Sequence, residues 1–221
     1  MNNPASIILA SNSPRRKQLL ALNGWNFQQL ASNIDESLIP GETPPEYVRR
    51  LAGQKALAVI PRAGDDQLII GSDTIVVIDG DILGKPENQA DARNMLVRLR
   101  GVTHQVFTGI AVIRSSDQYL YSDVVSTNVP MRNYSDDEID RYIQSGDPMD
   151  KAGAYGIQNP NFQPVEKMSG CYASVMGLPL CSLSSLLKKE NVFPVSNIEE
   201  SCQVTLSYQC PVSHIFLQEK Q

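Results

Sequence analysis

HQVFTGIAVI (His104–Ile113) and YLYSDVVSTNVPM (Tyr119–Met131) are two β-rich runs that flank Arg114-Ser115-Ser116-Asp117. Their β-branched and aromatic content, with a polar turn between them, predicts one large antiparallel hairpin. Elsewhere strands alternate with helices, a pattern that on its own gives parallel βαβ units. A hairpin inside that alternation requires a mixed sheet, so the expected class is α/β with a mixed β-sheet flanked by helices.

Toward the N-terminus, Ser6 to Ala10 reads as a short buried strand. Ser13 suits an N-cap with Pro14 at the first helical position, and Asn23-Gly24 marks the stop. Thr43-Pro44-Pro45-Glu46 has capping-box spacing, and Tyr47, Val48, Leu51, Ala52, Ala56 and Val59 follow at helical intervals. Leu68–Ile70 and Thr74–Ile78 read as strand, interrupted at Gly71-Ser72-Asp73. Asp79-Gly80 is a hairpin turn signal leading into Ile82-Leu83. Ala92, Met95, Leu96 and Leu99 mark a helix closed by Gly101. Ser135-Asp136-Asp137-Glu138 is a second capping box, so Asn133-Tyr134-Ser135 is read as a helix start rather than a glycosylation site. Cys171–Met176 is expected to be a strand, and Leu180, Leu183, Leu186 and Leu187 a helix. Residues 1–190 form the expected domain. Residues 191–221 follow no clear period and are taken as a C-terminal extension that need not be well ordered.

Of the 221 residues, 42% are hydrophobic and 19% charged, which is globular usage and excludes disorder of the chain as a whole. No apolar run approaches the roughly 20 residues needed to cross a bilayer. The opening Met1-Asn2-Asn3-Pro4-Ala5-Ser6 has no basic region, and Ile7-Ile8-Leu9-Ala10 is too short for a signal sequence, so cytoplasmic placement is expected. The net charge of −5 argues against a protein that coats nucleic acid, while leaving room for a local basic pocket. Cys171, Cys181, Cys202 and Cys210 contain no C-x-x-C pair and are read as reduced thiols. With two His in the chain, a hard cation held by carboxylates is a better expectation than zinc.

Three segments hold groups suited to chemistry. Ser11-Asn12-Ser13-Pro14-Arg15-Arg16-Lys17 joins a strand end to a helix N-terminus, where free N–H groups and the dipole favour an anion. Read otherwise, it is a solvated first turn with Ser13 as cap, although cations at that end oppose the dipole. In Gly71-Ser72-Asp73-Thr74 the carboxylate sits between apolar runs, poised for a cation or a proton or else folded into an Asx turn. Gly84-Lys85-Pro86 offers a lysine on a rigid loop. Neither a Walker motif nor G-x-G-x-x-G occurs, which removes P-loop and Rossmann assignments.

Taken in order, Leu9-Ala10-Ser11-x-Ser13-Pro14-Arg15-Arg16, Gly71-Ser72-Asp73-Thr74, Gly84-Lys85-Pro86 and Asp150-Lys151-Ala152-Gly153-Ala154-Tyr155-Gly156-Ile157-Gln158 resemble the Maf family, from about Ile7 to about Lys189. Members are nucleoside triphosphate pyrophosphatases, also described as septum formation inhibitors. The resemblance implies an inosine-triphosphate-pyrophosphatase-like fold, with an elongated mixed sheet, two lobes and a central cleft. It further implies cytoplasmic, commonly homodimeric proteins that depend on a divalent cation, Mg²⁺ or Mn²⁺. Asp73 matches the family's proton acceptor, and Arg15, Thr74 and Gln158 match positions that govern substrate choice. Ser11, Arg16, Lys55 and Lys85 match groups lining the phosphate pocket, Lys85 being counted with the catalytic set. Asp35 or Glu36 falls where members carry a further catalytic or metal-linked carboxylate, and Glu36 is paired with Asp73 as the metal-holding set. The run Lys151–Gln158 is similar to the branch acting on dTTP and UTP. After Gln158 this chain departs from the family's usual glycine with Asn159-Pro160-Asn161-Phe162. A non-hydrolysing nucleotide-binding regulator of cell division, and a pyrophosphatase of purine or modified nucleotides, are the alternatives.

Overall fold

A computed structural model describes residues 6–218; the first five residues, part of the stretch read for a leader, lie outside the described residues. The predicted hairpin is present as β5 (Thr103–Arg114) and β6 (Leu120–Pro130), paired from Thr103 with Pro130 to Ile113 with Leu120. It joins a six-stranded mixed sheet of order β2-β1-β3-β5-β6, with β1 (Ile7–Leu9), β2 (Phe27–Gln29) and β3 (Leu68–Ile78). The short β4 (Asp81–Leu83) pairs with the end of β3. β1 runs parallel to β2 and β3, whereas β3, β5 and β6 are antiparallel. The turn into β4 has positive φ at both Asp79 and Gly80, as a hairpin of the I′ type requires.

The predicted break at Gly71-Ser72-Asp73 does not occur, because β3 is continuous through these residues and the Asx-turn reading falls with it. Gly71 serves packing. A Cβ there would stand 2.0 Å from Ala52 O, and one at Gly109 would stand 2.3 Å from Val48 O. Gly109 is the β5 partner of Asp73, so two glycines on neighbouring strands let a helix backbone lie directly on the sheet. That helix is α2 (Pro44–Leu57), whose Glu46 carboxylate accepts from both Thr43 N–H, at 2.9 Å, and Thr43 Oγ, at 2.6 Å.

Period-2 alternation splits β3 between the two faces of the sheet. Ile75 and Val77 pack with Tyr47, Val48 and Leu51 of α2. Leu68, Ile70, Val76 and Ile78 enter the larger core on the opposite face. There they meet α1 (Pro14–Ala21), α3 (Gln89–Leu99), α4 (Asp136–Gln144) and, past it, α6 (Leu180–Lys188). Ser13 and Ser135 cap α1 and α4 as expected.

Cys171–Met176 is a correction. It forms a one-turn helix, α5 (Tyr172–Val175), with Cys171 Sγ accepting from Ser174 N–H at 3.3 Å. A six-residue apolar run fits strand and buried helix alike, and here the sulfur cap and Gly177 select the helix. The segment in which we read no period carries α7 (Ile198–Leu206) and α8 (Ser213–Gln218). Ile198, Cys202 and Leu206, at i, i+4 and i+8, turn toward the core. Among the described residues no helix is long and apolar enough to cross a membrane.

Candidate active site

β1 ends at Leu9, opposite Ile70, whereas β4 pairs only from Val76 onward. With β5 on its other side, β3 therefore has no strand neighbour along Gly71–Ile75 on the β1 edge. The turn from β1 into α1 and the loop after β4 close around that opening to form a cleft of about 510 Å³. Ser11, Arg15, Arg16, Glu36, Lys55, Asp73, Thr74, Lys85 and Gln158 all line it. Every site residue expected from the sequence is thus in one cavity. Of the two acids weighed, Glu36 is the one in the cleft. Asp35 accepts instead from the N–H and hydroxyl of Ser37, at 2.9 and 2.5 Å.

Asp73 projects from β3 onto the α2 side. Lys55, one turn beyond the Ala52 contact, brings Nζ to 2.6 Å from Asp73 Oδ1 and 2.7 Å from Glu36 Oε1. The Lys55 and Asp73 side chains are 10% and 9% exposed, so the pair is poorly solvated, while Glu36 reaches it from the open side. Burial pushes the Glu36 carboxyl upward, but the Lys55 ammonium more than reverses this, with Lys85 and Arg16 adding to it. It titrates below its ordinary range. The Glu36 loop is fixed by Tyr47, whose hydroxyl donates to Glu36 O at 2.6 Å.

Arg16 crosses the cleft from α1. Its Nε donates to Gly177 O at 3.0 Å, Nη1 to Ser11 Oγ at 3.3 Å and Nη2 to Thr74 Oγ1 at 3.2 Å. All three acceptors are neutral, and among the described residues Arg16 makes no ion pair. Burial pulls its pKa down, with Asp73 opposing from a distance. Arginine stays protonated in proteins, so this is a cation short of negative charge beside the α1 N-terminus. Thr74 is itself held by Thr108, 3.0 Å away, which also donates to Ser174 O. Ser72 donates to Gly177 O at 2.8 Å and Gly109 O lies 3.0 Å from the same hydroxyl. Arg15 pairs with Asp150 at 3.4 Å.

Gln158 is exposed at the rim, on a loop anchored from below. Lys151, buried, donates to Asp147 Oδ1 at 2.8 Å and Asp150 Oδ1 at 2.6 Å. The departure at Asn159 strengthens this anchor. Its Nδ2 donates to Asp147 Oδ2 at 3.1 Å, and its Oδ1 accepts from the N–H of Asn161 and Phe162. Phe162 in turn stacks on Tyr142, ring centroids 4.2 Å apart. Sequence reasoning missed Asp147 and the Asp150–Arg15 pair. The acid-rich spacing of Asp147, Asp150 and Lys151 was the available signal. Tyr155 also lines the cleft, with its hydroxyl 2.8 Å from His104 Nε2.

Among the described residues no group of three or more His, Cys, Asp or Glu is placed to hold a metal ion. Asp73 and Glu36 remain as two hard oxygen donors meeting at one cation, the Lys55 ammonium.

Residues 6–190 match the family model described as Maf-like protein. The dTTP/UTP pyrophosphatase of Geotalea uraniireducens is 45% identical, over 86% of this chain and 97% of that protein. The proteins of the same name from Dictyoglomus thermophilum and Alkaliphilus metalliredigens are 47% and 48% identical, each over 83% of this chain and 95% of the relative. Among solved structures, the Staphylococcus aureus Ham1 protein is similar at 14% identity and a TM-score of 0.42, over 58% of this chain and 72% of that one. With the family model covering most of the sequence, and relatives nearly half identical along it, the chain belongs to the Maf family.

Proposed function

We propose that this chain is a nucleoside triphosphate pyrophosphatase that hydrolyses dTTP and UTP to the monophosphate and pyrophosphate. The single observation that carries the reading is the meeting, across one cleft, of the buried Asp73 carboxylate and the cation-rich Ser11–Arg16 turn. Relatives named dTTP/UTP pyrophosphatase supply the substrate.

Cleavage between the α- and β-phosphates needs a water placed in line, a base to orient or deprotonate it, and positive charge at the leaving pyrophosphate. Asp73 is the base in this reading. Its Oδ1 is held by Lys55, which fixes the carboxylate's orientation toward the cleft. Arg16, already braced by Gly177, Ser11 and Thr74, binds phosphate oxygens without reorganising, and Arg15 on the first turn of α1 and Lys85 on the loop after β4 add charge. The Ser11 hydroxyl and the positive end of the α1 dipole complete the anion cradle. Gln158 offers one donor and one acceptor edge, matching the imide face of uracil or thymine.

Asp73 and Glu36 are the residues that would hold Mg²⁺ or Mn²⁺. Two carboxylates without a third suit a small cation that keeps water ligands and shares the substrate's phosphates, and the Lys55 ammonium already between them marks a spot built for positive charge. When bound, the cation neutralises phosphate charge and polarises the reacting phosphoryl group. In the same reading the enzyme is a cytoplasmic homodimer, as the family resemblance implies.

The test is a panel of nucleoside triphosphates incubated with purified protein and Mg²⁺, with pyrophosphate and orthophosphate measured separately. Pyrophosphate with dTMP or UMP is expected, fastest for the two named substrates. Orthophosphate and a diphosphate, or no product from any nucleotide, overturns the reading.

A further inference from the structure

All four cysteines, spaced along residues 171–210, line one small apolar pocket between α5, α6 and α7. Cys171 and Cys181 are buried in it, while Cys202 and Cys210 are partly open to solvent. Cys202 and Cys210 lie beyond the segment that matches the family model, so this gathering is a feature of the chain's own tail. The tail docks on the residues just before α5. Gly170 N–H donates to Tyr208 OH at 3.1 Å, and that hydroxyl lies 2.9 Å from Gly170 O. Cys210 Sγ is 3.9 Å from the same Gly170 O, the residue immediately before Cys171, and both sulfurs line the pocket.

We propose that this pocket is an oxidation site, in which a peroxide converts Cys210 and Cys171 into a disulfide that fastens the tail to the N-cap of α5. The Cys171 thiol and the N–H groups of Val212 and Ser213 hold the Cys210 thiol below its ordinary range, which favours its thiolate as the attacking form. The Cys210 thiol and burial push the Cys171 thiol up, and burial pushes Cys181 to about 12 and Cys202 to about 11. One activated sulfur therefore stands beside a protonated one. The Cys210 thiolate attacks a peroxide oxygen, the O–O bond breaks, and Cys210 sulfenic acid and hydroxide form. The Cys171 sulfur then attacks Cys210 Sγ, the S–O bond breaks, and the departing oxygen leaves as water with the Cys171 proton. Two thiols lose two electrons in total, and one hydrogen peroxide becomes two waters.

The link reaches toward the cleft. Cys171 caps α5, whose Ser174 O accepts from Thr108, and the chain just past α5 supplies Gly177 O to Arg16 and Ser72. Oxidation thus ties the tail to the element that braces Arg16.

The experiment treats reduced full-length protein with hydrogen peroxide, alkylates the remaining thiols and maps peptides by mass spectrometry, a readout independent of nucleotide turnover. A Cys171–Cys210 cross-linked peptide is expected, with the intact mass lower by two hydrogens and reversal by dithiothreitol. Chymotryptic cleavage within the tail should slow about tenfold in the oxidised form, because opening becomes rarer. Cys202→Ser should keep the cross-link, and Cys171→Ser should leave Cys210 trappable as a sulfenic acid by dimedone. A Cys202–Cys210 or Cys171–Cys181 peptide in its place overturns the proposal. So does Cys210 carried to sulfinic acid while Cys171 remains alkylatable. The wild-type peptide map decides the matter even if a serine variant fails to fold.

Discussion

Lys55 Nζ lies 2.6 Å from Asp73 Oδ1, and this pair exists because two glycines sit beneath α2. The helix could not bring Lys55 so close to the sheet over any side chain at position 71 or 109. A packing device on two strands therefore sets the geometry of an acid–base pair, and Glu36 closes the group from the solvent side at 2.7 Å.

Asp73→Asn tests the assigned base. The amide keeps the shape, and Lys55 retains Glu36 as a partner, so folding is expected to survive. Turnover of dTTP should fall by about 10²–10⁴-fold, the usual contribution of a positioned proton acceptor. Nucleotide affinity measured by calorimetry should change by less than about threefold. A rate near that of the wild type assigns the proton transfer elsewhere.

Gly71→Ala should be among the most destabilising single changes in the sheet. Its Cβ would have to displace Ala52 O from 2.0 Å, backbone against backbone, which exceeds ordinary overpacking. A loss of about 3 kcal/mol or more is expected in urea unfolding. In whatever protein folds, Lys55 moves off Asp73 and kcat falls. A loss below about 1 kcal/mol refutes this account of α2 docking.

These two positions also mark what the sequence reveals and what it hides. The hairpin, the capped helices and the Ser11–Arg16 turn were readable because each follows from a local rule: β-branched density, cap spacing, or cations at a helix start. Glu36, Lys55 and Gln158 entered the site through the family resemblance. Gly71 reads locally as a break. Its meaning depends on a helix some twenty residues earlier, and no short-range rule carries that. Cys171–Met176 was ambiguous by length alone. α7 was hidden because its apolar stripe is Ile198, Cys202 and Leu206, and a cysteine was counted as a thiol rather than as a small hydrophobe. In the Asp147–Lys151–Asn159 anchor the spacing of Asp147, Asp150 and Lys151 was a local signal, whereas the contact of Asn159 with Asp147 forms only once the loop has folded.

Arg16 should gain more from an anion than any other cation in the cleft, since its three acceptors are all neutral. Pyrophosphate at millimolar concentration is expected to raise the melting temperature of the wild type by several degrees, by mass action on the native state. In Arg16→Met the shift should shrink to under about a third, while the ligand-free melting temperature stays level or rises because a buried charge has gone. Equal shifts in both proteins would remove Arg16 from the phosphate site.

Gln158→Ala probes base reading. The side chain is at the rim and its loop is anchored independently by Asp147, Lys151 and Asn159, so the fold is expected to be untouched. Losing one donor and one acceptor should lower kcat/KM for dTTP and UTP by about tenfold, and for purine triphosphates much less. An unchanged ratio of pyrimidine to purine rates places the discrimination elsewhere.

His104 gives the protein a specific pH response. Burial holds its imidazole down, at about 4, against an ordinary value of 6.5. Its Nδ1 has no partner, and Nε2 meets only the Tyr155 hydroxyl. Between those two values the unfolded chain binds the proton and the native chain does not, so stability increases with pH across that window. The contribution is complete above pH about 6.5 and lost progressively as pH falls toward 4, to a limit of about 3 kcal/mol. His104→Gln keeps a hydrogen-bonding partner for Tyr155 and does not titrate. From pH 6.5 to 5, unfolding free energy from urea titrations should therefore drop by about 1.5 kcal/mol more in the wild type than in the variant. Parallel pH profiles would mean that His104 reaches its proton in the native state. Because Tyr155 forms part of the cleft wall, nucleotide affinity should hold across that window and fall only as pH approaches about 4, where the native His104 takes up its proton.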